Sequence, residues 1–397
     1  MANSVLHRST SAAVIEALDE IFNGSRYADK VIERVLKQNP KWGSRDRRFI
    51  AETTYNIVRW YRLLHEVTGS EDYWTILAAW LRLQGTELPP WEEFDSIRFD
   101  GWKERLDKAN SIRKIRESIP DWIDELGEKE LGGVWDRELH SLNEEARVVL
   151  RANTLRIKRD DLQQVLSDEG VKTESLSVSK DALGLVQRQN VFQLDSFKEG
   201  LFELQDGGSQ LIAPFLDAEP GMRVIDACAG AGGKTLHLAA LMQNKGRILA
   251  MDTEGWKLDE LKKRARRSGA GNIEARVIDS SKAIKRLEKS ADRLLLDVPC
   301  SGLGVLKRNP DAKWKLSADF IDRVRSTQLT ILNDYSKMVK LGGQMVYSTC
   351  SVLPSENEEQ VKTFLSSEKR EFELMEEKKV MPSEGFDGFY MARLKRI

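Results

Sequence analysis

At 397 residues the chain is too long for one ordinary core, so two or three domains are expected, and its 41% hydrophobic and 31% charged residues describe a globular protein. No apolar run is long enough to cross a bilayer and the N-terminus, MANSVLHRST, lacks a signal-peptide core, which excludes a membrane partner and makes the cytoplasm the expected address. A net charge of −1 argues against a broadly basic nucleic-acid binder but leaves room for local basic faces, while three cysteines without CxxC spacing support neither a disulfide framework nor a metal site.

Residues 1 to about 140 read as helices. Val14, Ile15, Leu18, Ile21 and Phe22 recur at helical spacing, as do Val31, Ile32, Val35 and Leu36, and Ile50, Thr54, Ile57, Tyr61 and Leu64 trace one stripe. Eight of the ten tryptophans, from Trp42 to Trp135, fall in this region. Core packing of a helical bundle explains them better than stacking on bases, so Lys41, Arg45, Arg47, Arg48, Arg59 and Arg62 are the better candidates for phosphate contacts. For any single one of these charges, a solvated helix face is the competing role.

From 141 to about 205 the character changes. VVLRANTL is strand-like, KRDDLQQVLSDEG is a helix ended by Gly170, and short strand signals follow around Leu183 to Leu194. This is a small α/β module carrying Arg151, Arg156, Lys158 and Arg159, placed either to present nucleic acid or to act as a spacer.

From about 206 to the end, the apolar strands RVIDA, RILAMD, ARVID, RLLLD and QMVYS alternate with helices beginning near Lys234, Glu254, Ser317 and Ser355. A shorter helix is expected from Ser280 to Leu287, and Ser355 with Glu358 forms a predicted capping box. Regular alternation predicts a mostly parallel, doubly wound sheet, in which ligands bind beyond the carboxyl ends of the strands. Asp226, Asp252, Asp279, Asp297 and Cys350 each fall at one of those five ends. Five carboxylates and thiols on one rim imply a site.

The first turn, DACAGAGGKT, is glycine-rich and leads from strand to helix. A P-loop needs glycine where Cys228 stands, and the dinucleotide fingerprint needs glycine or alanine where Thr235 stands. S-adenosylmethionine is the favoured reading, with Asp252, twenty residues after Gly232, receiving ribose hydroxyls; spacing alone leaves a nicotinamide dinucleotide open.

Two cysteines lie just past predicted strand ends, in DVPCSG and YSTCS. Carbon 5 of a pyrimidine is a poor nucleophile, and thiolate addition at carbon 6 turns it into an enamine-like carbon that can take a methyl group. Release then needs the carbon 5 proton removed, which gives a second thiol a reason to be nearby. Cys228 reads as a small buried hydrophobe, whereas the paired context of Cys300 and Cys350 favours chemistry. His7, His65, His140 and His237 belong to no such cluster.

On FELQDGGSQL, DACAGAGGKT, DVPCSGLGVLKRNPDAKW, YSTCSVLPSENE and the terminal DGFYMARL, the chain resembles the Sun (also called Fmu) family of RNA cytosine-5 methyltransferases, most closely the bacterial 16S ribosomal RNA methyltransferase B type. The resemblance spans nearly the whole chain. It implies an α/β fold: a Rossmann-like methyltransferase domain over 206–397, preceded by the small α/β module over 141–205 and an all-helical NusB-like RNA-binding domain over 1–140. It makes Cys350 the nucleophile and Cys300 the residue that assists release, with Asp297 and Lys234 on the cytosine edge. The implied S-adenosylmethionine contacts are Cys228, Ala229, Gly230, Ala231, Gly232, Gly233, Lys234, Asp252, Asp279 and Asp297. The family usually has proline before the two glycines, where this chain has Ala231, and the loss of that ring would loosen the turn.

The expected partner is 16S rRNA, with no membrane, no metal and a monomer favoured. Transfer RNA is the alternative substrate, and a non-catalytic RNA-binding assembly factor is the alternative outside enzymology. Intact Lys234, Asp297, Cys300 and Cys350 count against the latter. Lys262, Lys263, Arg264, Arg266 and Arg267 form the densest basic run, divided evenly between RNA contact and a solvated helix face.

Overall fold

A computed structural model describes residues 6–366 and 371–397 of the chain. It divides into two compact units, Met1–Glu144 with Leu306–Ser317, and Glu145–Val305 with Ala318–Ile397. The segment Leu306–Ser317 lies within the last sequence-defined domain but packs with the helical unit.

In the helical unit, Arg8–Phe22, Ala28–Gln38, Ser44–Thr68 and Tyr73–Leu83 close around a core of Val14, Leu18, Val35, Ile50, Ile57, Leu64 and Leu77. Trp42, Trp60, Trp74, Trp80, Trp91 and Trp102 pack against or within that core, as expected for bundle tryptophans. The long helix bends at Trp60, which leaves helical geometry at φ −104°, ψ 15°. The cause is visible in the hydrogen bonds. Trp314 Nε1 donates to Val58 O at 2.8 Å and Lys313 Nζ to Arg59 O at 2.7 Å. The amides that would meet those carbonyls in an unbroken helix, Arg62 and Leu63, turn instead to Ser118 Oγ. Foreign donors and a foreign acceptor thus satisfy the bend.

Three of the six expected phosphate-binding cations are used internally, which corrects the reading from composition. Arg59 is buried and donates to Lys307 O, Arg47 donates to Leu36 O and Trp42 O, and Arg62 pairs with Asp121 and donates to Ile119 O. Lys41, Arg45 and Arg48 are exposed.

The second unit begins with a four-stranded antiparallel sheet built from β1 (Val149–Ala152), β2 (Thr173–Ser175), β3 (Ala182–Leu185) and β4 (Phe202–Leu204), in the order β2-β3-β1-β4. The helix Arg159–Asp168 covers it through Leu162 and Leu166. The module is not a loose spacer. Asn153 Nδ2 and Arg156 Nε both donate to Ser268 O, at 2.8 and 3.0 Å, tying it to the end of the helix Gly255–Ser268.

The large sheet contains β5 (Arg223–Asp226), β6 (Arg247–Asp252), β7 (Ile273–Val277), β8 (Ala291–Asp297), β9 (Val339–Thr349), β10 (Phe372–Val380) and β11 (Phe389–Arg396), in the order β10-β11-β9-β8-β5-β6-β7. Strands β5 to β9 are parallel, and β8 carries the continuous apolar run expected of a strand covered on both faces. The antiparallel pair β10 and β11 extends the sheet beyond β9. That edge is absent from the sequence reading because FELMEEKKV is exposed on both faces between its end residues and shows no apolar alternation.

The chain order reverses between β5 and β8, so the crevice lies beyond their carboxyl ends. Ser355 is not the N-cap expected of it: Pro354–Glu356 makes a single 3-10 turn, and the following helix starts at Glu358 behind Asn357.

Candidate active site

The register of β8 against β9 sets Asp297 opposite Ser348, whose hydroxyl donates to Asp297 Oδ1 at 2.9 Å. Each strand then runs into a cysteine, three residues on in one case and two in the other. Cys300 Sγ and Cys350 Sγ lie 3.2 Å apart, both unbonded thiols and both half-buried, and Cys350 N donates to Cys300 Sγ at 3.3 Å. The Cys300 thiol is pushed well above its ordinary value by its hydrogen bond with Cys350 and by burial, so at neutral pH it keeps its proton.

Lys234, in the first turn of the helix Gly233–Leu241, reaches Asp297 Oδ2 at 2.6 Å. Burial works against its charge, but Asp297 outweighs burial and Cys350 adds to the same side, leaving Lys234 above the usual lysine value. The four residues expected to carry the chemistry therefore meet at one place.

Beside them opens a cavity of about 730 Å³. Its walls combine Asp252, Glu254, Lys257 and Asp297 with the apolar faces of Ile278, Ile331 and Pro299, the mixture that small-molecule sites use. Asp252 accepts Gly230 N and Glu254 N at 2.9 Å each, one on each oxygen, which fixes the carboxylate and leaves lone pairs toward the cavity. Gly230 has φ +53°, and a Cβ there would meet no atom within 4 Å, so the backbone of the turn faces open space. Acidic end, apolar walls and bare backbone fit a nucleoside with a charged tail.

A smaller adjoining cavity of about 230 Å³ is lined by Cys228, Ala229, Gly230, Ala231, Gly233 and Lys234, with Asp226 and Asp297. Gly232 lines neither cavity. Its Cβ would lie 2.6 Å from Leu261 Cγ, so glycine there lets two helices approach. Asp279 is exposed, accepts the Ser280 hydroxyl and stands outside both walls, while Ile278 and Ser281 take part.

Sequence reasoning missed two arginines that hold the turn. Arg264 Nη1 donates to Ala231 O at 2.9 Å and Arg151 Nη1 to Gly233 O at 2.8 Å, and Glu203 of β4 accepts from both Arg264 and Arg267. The turn without its proline is thus braced from outside. The same bonds divide the basic run: Arg264 and Arg267 face Glu203, whereas Lys262, Lys263 and Arg266 are exposed, the two lysines in surface pairs with Asp259 and Glu260.

A family model described as 16S rRNA methyltransferase RsmB/F matches residues 213–395, and a second, described as the RsmF/B-like ferredoxin-like domain, matches residues 119–192. A Synechocystis relative of the ribosomal RNA small subunit methyltransferase B type is 31% identical, covering 88% of this chain and 87% of the relative. The chain belongs to the RsmB/F family of 16S rRNA methyltransferases.

As a member of the RsmB/F family it is an S-adenosylmethionine-dependent rRNA methyltransferase. The ribosomal RNA small subunit methyltransferase B of Vibrio cholerae is 32% identical, covering 74% of this chain and 69% of the relative. Among solved structures, a methyltransferase homologue from Pyrococcus horikoshii is 26% identical, with a TM-score of 0.64 over 72% of this chain and 98% of that one. No group of three histidine, cysteine or acidic residues suited to a metal is found among the described residues, and no described helix is long and apolar enough to cross a membrane.

Beneath the turn, Asp226 is buried with Oδ2 accepting the Thr235 hydroxyl at 2.7 Å and Oδ1 unpartnered. Burial pushes its carboxyl up to about 7. An acid raised in the folded state stabilises below its unfolded value and loses that contribution as pH climbs through the folded one, here between about 4 and 7. The rise corresponds to at most ~4 kcal/mol. Asp226→Asn is therefore expected to be more stable than the parent by about 2–4 kcal/mol above pH 8 and indistinguishable from it near pH 4. Urea unfolding at both pH values measures the difference.

Proposed function

We propose that this enzyme methylates carbon 5 of a cytidine in 16S rRNA through a covalent cysteine–cytosine adduct. The observation that carries the reading is the pair of thiols 3.2 Å apart, beside Lys234 and Asp297, with Cys300 one residue past Pro299 in the cavity wall. When bound, S-adenosylmethionine supplies an electrophilic methyl group. Asp252 and the backbone of Cys228, Ala229, Gly230, Ala231, Gly233 and Lys234 would hold it, with Asp297 at the boundary; Asp279 is exposed and lines neither cavity.

Cys350, as thiolate, adds to carbon 6 and moves the ring electrons to carbon 5. Once methylated, carbon 5 still carries its proton. Removal of that proton restores the 5,6 double bond and expels the Cys350 thiolate; Cys300 takes it as a thiolate, its own proton passing to solvent once Cys350 is bonded to carbon 6 and no longer holds it in place. Lys234 and Asp297 hold the amino and ring-nitrogen edge of the base, oriented by their own ion pair and by Ser348. The helical unit is read as a NusB-like RNA-binding domain, with Lys41, Arg45 and Arg48 as its remaining phosphate contacts. A cytoplasmic monomer fits these assignments.

The test uses the purified full chain with S-adenosylmethionine and either 16S rRNA or bulk transfer RNA, followed by bisulfite mapping. One protected cytidine in 16S rRNA is expected. Protection only in transfer RNA moves the substrate, and protection in neither overturns the reading.

A further inference from the structure

Behind the thiols sits a carboxylate that none of these roles uses. Glu356 is 0% exposed, in the turn Pro354–Glu356, and its two oxygens accept four hydrogen bonds. Its Oε2 accepts Ser301 N at 2.8 Å and Gln328 Nε2 at 3.0 Å, and its Oε1 accepts the hydroxyls of both Ser301 and Ser351. These serines directly follow the two cysteines, in matching tetrads Cys300-Ser301-Gly302-Leu303 and Cys350-Ser351-Val352-Leu353. In each tetrad the serine Oγ also accepts the leucine amide two residues on, at 3.3 and 3.2 Å, and the two Oγ atoms lie 3.2 Å apart. The two cysteine loops are thus near copies joined through one carboxylate.

We propose that Glu356 is a positioning residue that sets the spacing of Cys300 and Cys350 by binding the serine after each. The inference rests on the reading that both thiols serve one pyrimidine. A buried carboxylate is tolerated only when its acceptor sites are filled, and here the filling groups come from both loops, so neither can shift without leaving the buried charge short of a donor. Gln328 extends the frame, since its Nε2 also donates to Pro299 O at 3.0 Å, immediately before Cys300. Tyr347 OH donates to Glu356 O at 2.6 Å and fixes the turn to β9. The negative charge has a second effect, adding to the hydrogen bond and burial that keep the Cys300 proton in place.

Glu356→Gln preserves shape: its amide can face the two hydroxyls, which are able to accept, while its oxygen keeps Ser301 N and Gln328. The charge is lost and the hydroxyl bonds reverse. Two readouts separate positioning from folding. Diamide oxidises the two neighbouring thiols to a disulfide while being reduced to its hydrazine, so its rate reports how often the sulfurs meet correctly. Expected for Glu356→Gln are a disulfide rate and a kcat each about 10–100-fold lower, with an unchanged KM for S-adenosylmethionine. Ser351→Ala, which removes one arm only, should show the same pattern more weakly and serves if Glu356→Gln does not fold. Parental disulfide rate and kcat in folded Glu356→Gln, or in Ser351→Ala where the first is unfolded, overturn the proposal. Full activity of Cys350→Ala would instead sink the adduct reading beneath it, so the two failures are told apart.

Discussion

Cys350→Ala is expected to lose methyl transfer by at least about 10³-fold while unfolding at the parental denaturant concentration, and Cys300→Ala to lose turnover by accumulating a covalent RNA adduct. The contrast follows from one geometry. The two sulfurs lie 3.2 Å apart, but only one can bond carbon 6 of a given ring. Without Cys350 no enamine forms, and carbon 5 remains too poor a nucleophile to take a methyl group. Without Cys300 addition proceeds, but release stalls on a ring that is saturated at carbons 5 and 6. Denaturing gel electrophoresis with labelled RNA reads the second outcome directly, as a band that survives detergent in Cys300→Ala and is absent from Cys350→Ala and from the double variant. An adduct in Cys350→Ala would exchange the two roles. Loss of the adduct in both single variants would remove the covalent step.

Lys234→Met is expected to lower kcat/KM by about 10²–10⁴-fold and stability by about 1–3 kcal/mol. The kinetic loss reflects a cation removed from the meeting point of Asp297, the cofactor turn and the thiols. The smaller stability loss reflects side chains that keep 14% and 26% exposure, so water relieves part of the charge left on Asp297. Lys234 is held above its ordinary value, so the pair contributes fully below about 10.4, the unfolded value, and weakens only as pH rises past the folded one. Urea midpoints should therefore differ between parent and Lys234→Met by at least as much at pH 9 as at pH 6, Asp226 adding its charge beside the lysine as it ionises, while the Asp226→Asn difference grows over the lower part of that range. A Lys234→Met difference that closed between pH 6 and 9 would place the lysine outside the pair.

Much of the site is legible in the sequence because a parallel sheet turns linear position into place. Apolar runs that end in Asp226, Asp252, Asp297 or Thr349-Cys350 put those ends on one rim, whatever the loops do. Asp279 shows the limit of that logic, since two residues beyond β7 were enough to carry it onto the surface. Basic residues were harder to read. Arg59, Arg151 and Arg264 resemble exposed RNA contacts in a list of charges, yet each donates to a backbone carbonyl inside the protein. Glu356 was passed over for the opposite reason: one acid in SENE carries no signal until both cysteine loops converge on it.

The sequence by itself determined the alternating strands, the rim on which chemistry gathers, the cofactor turn and the family, because periodicity and short motifs are local and survive without knowledge of neighbours. Only the tertiary structure decided which charges are spent on carbonyls, that Leu306–Ser317 packs with the helices, and how closely the two thiols approach. Those outcomes depend on strand register and on hydrogen bonds between residues 50 to 254 positions apart, and no local pattern in the chain specifies them.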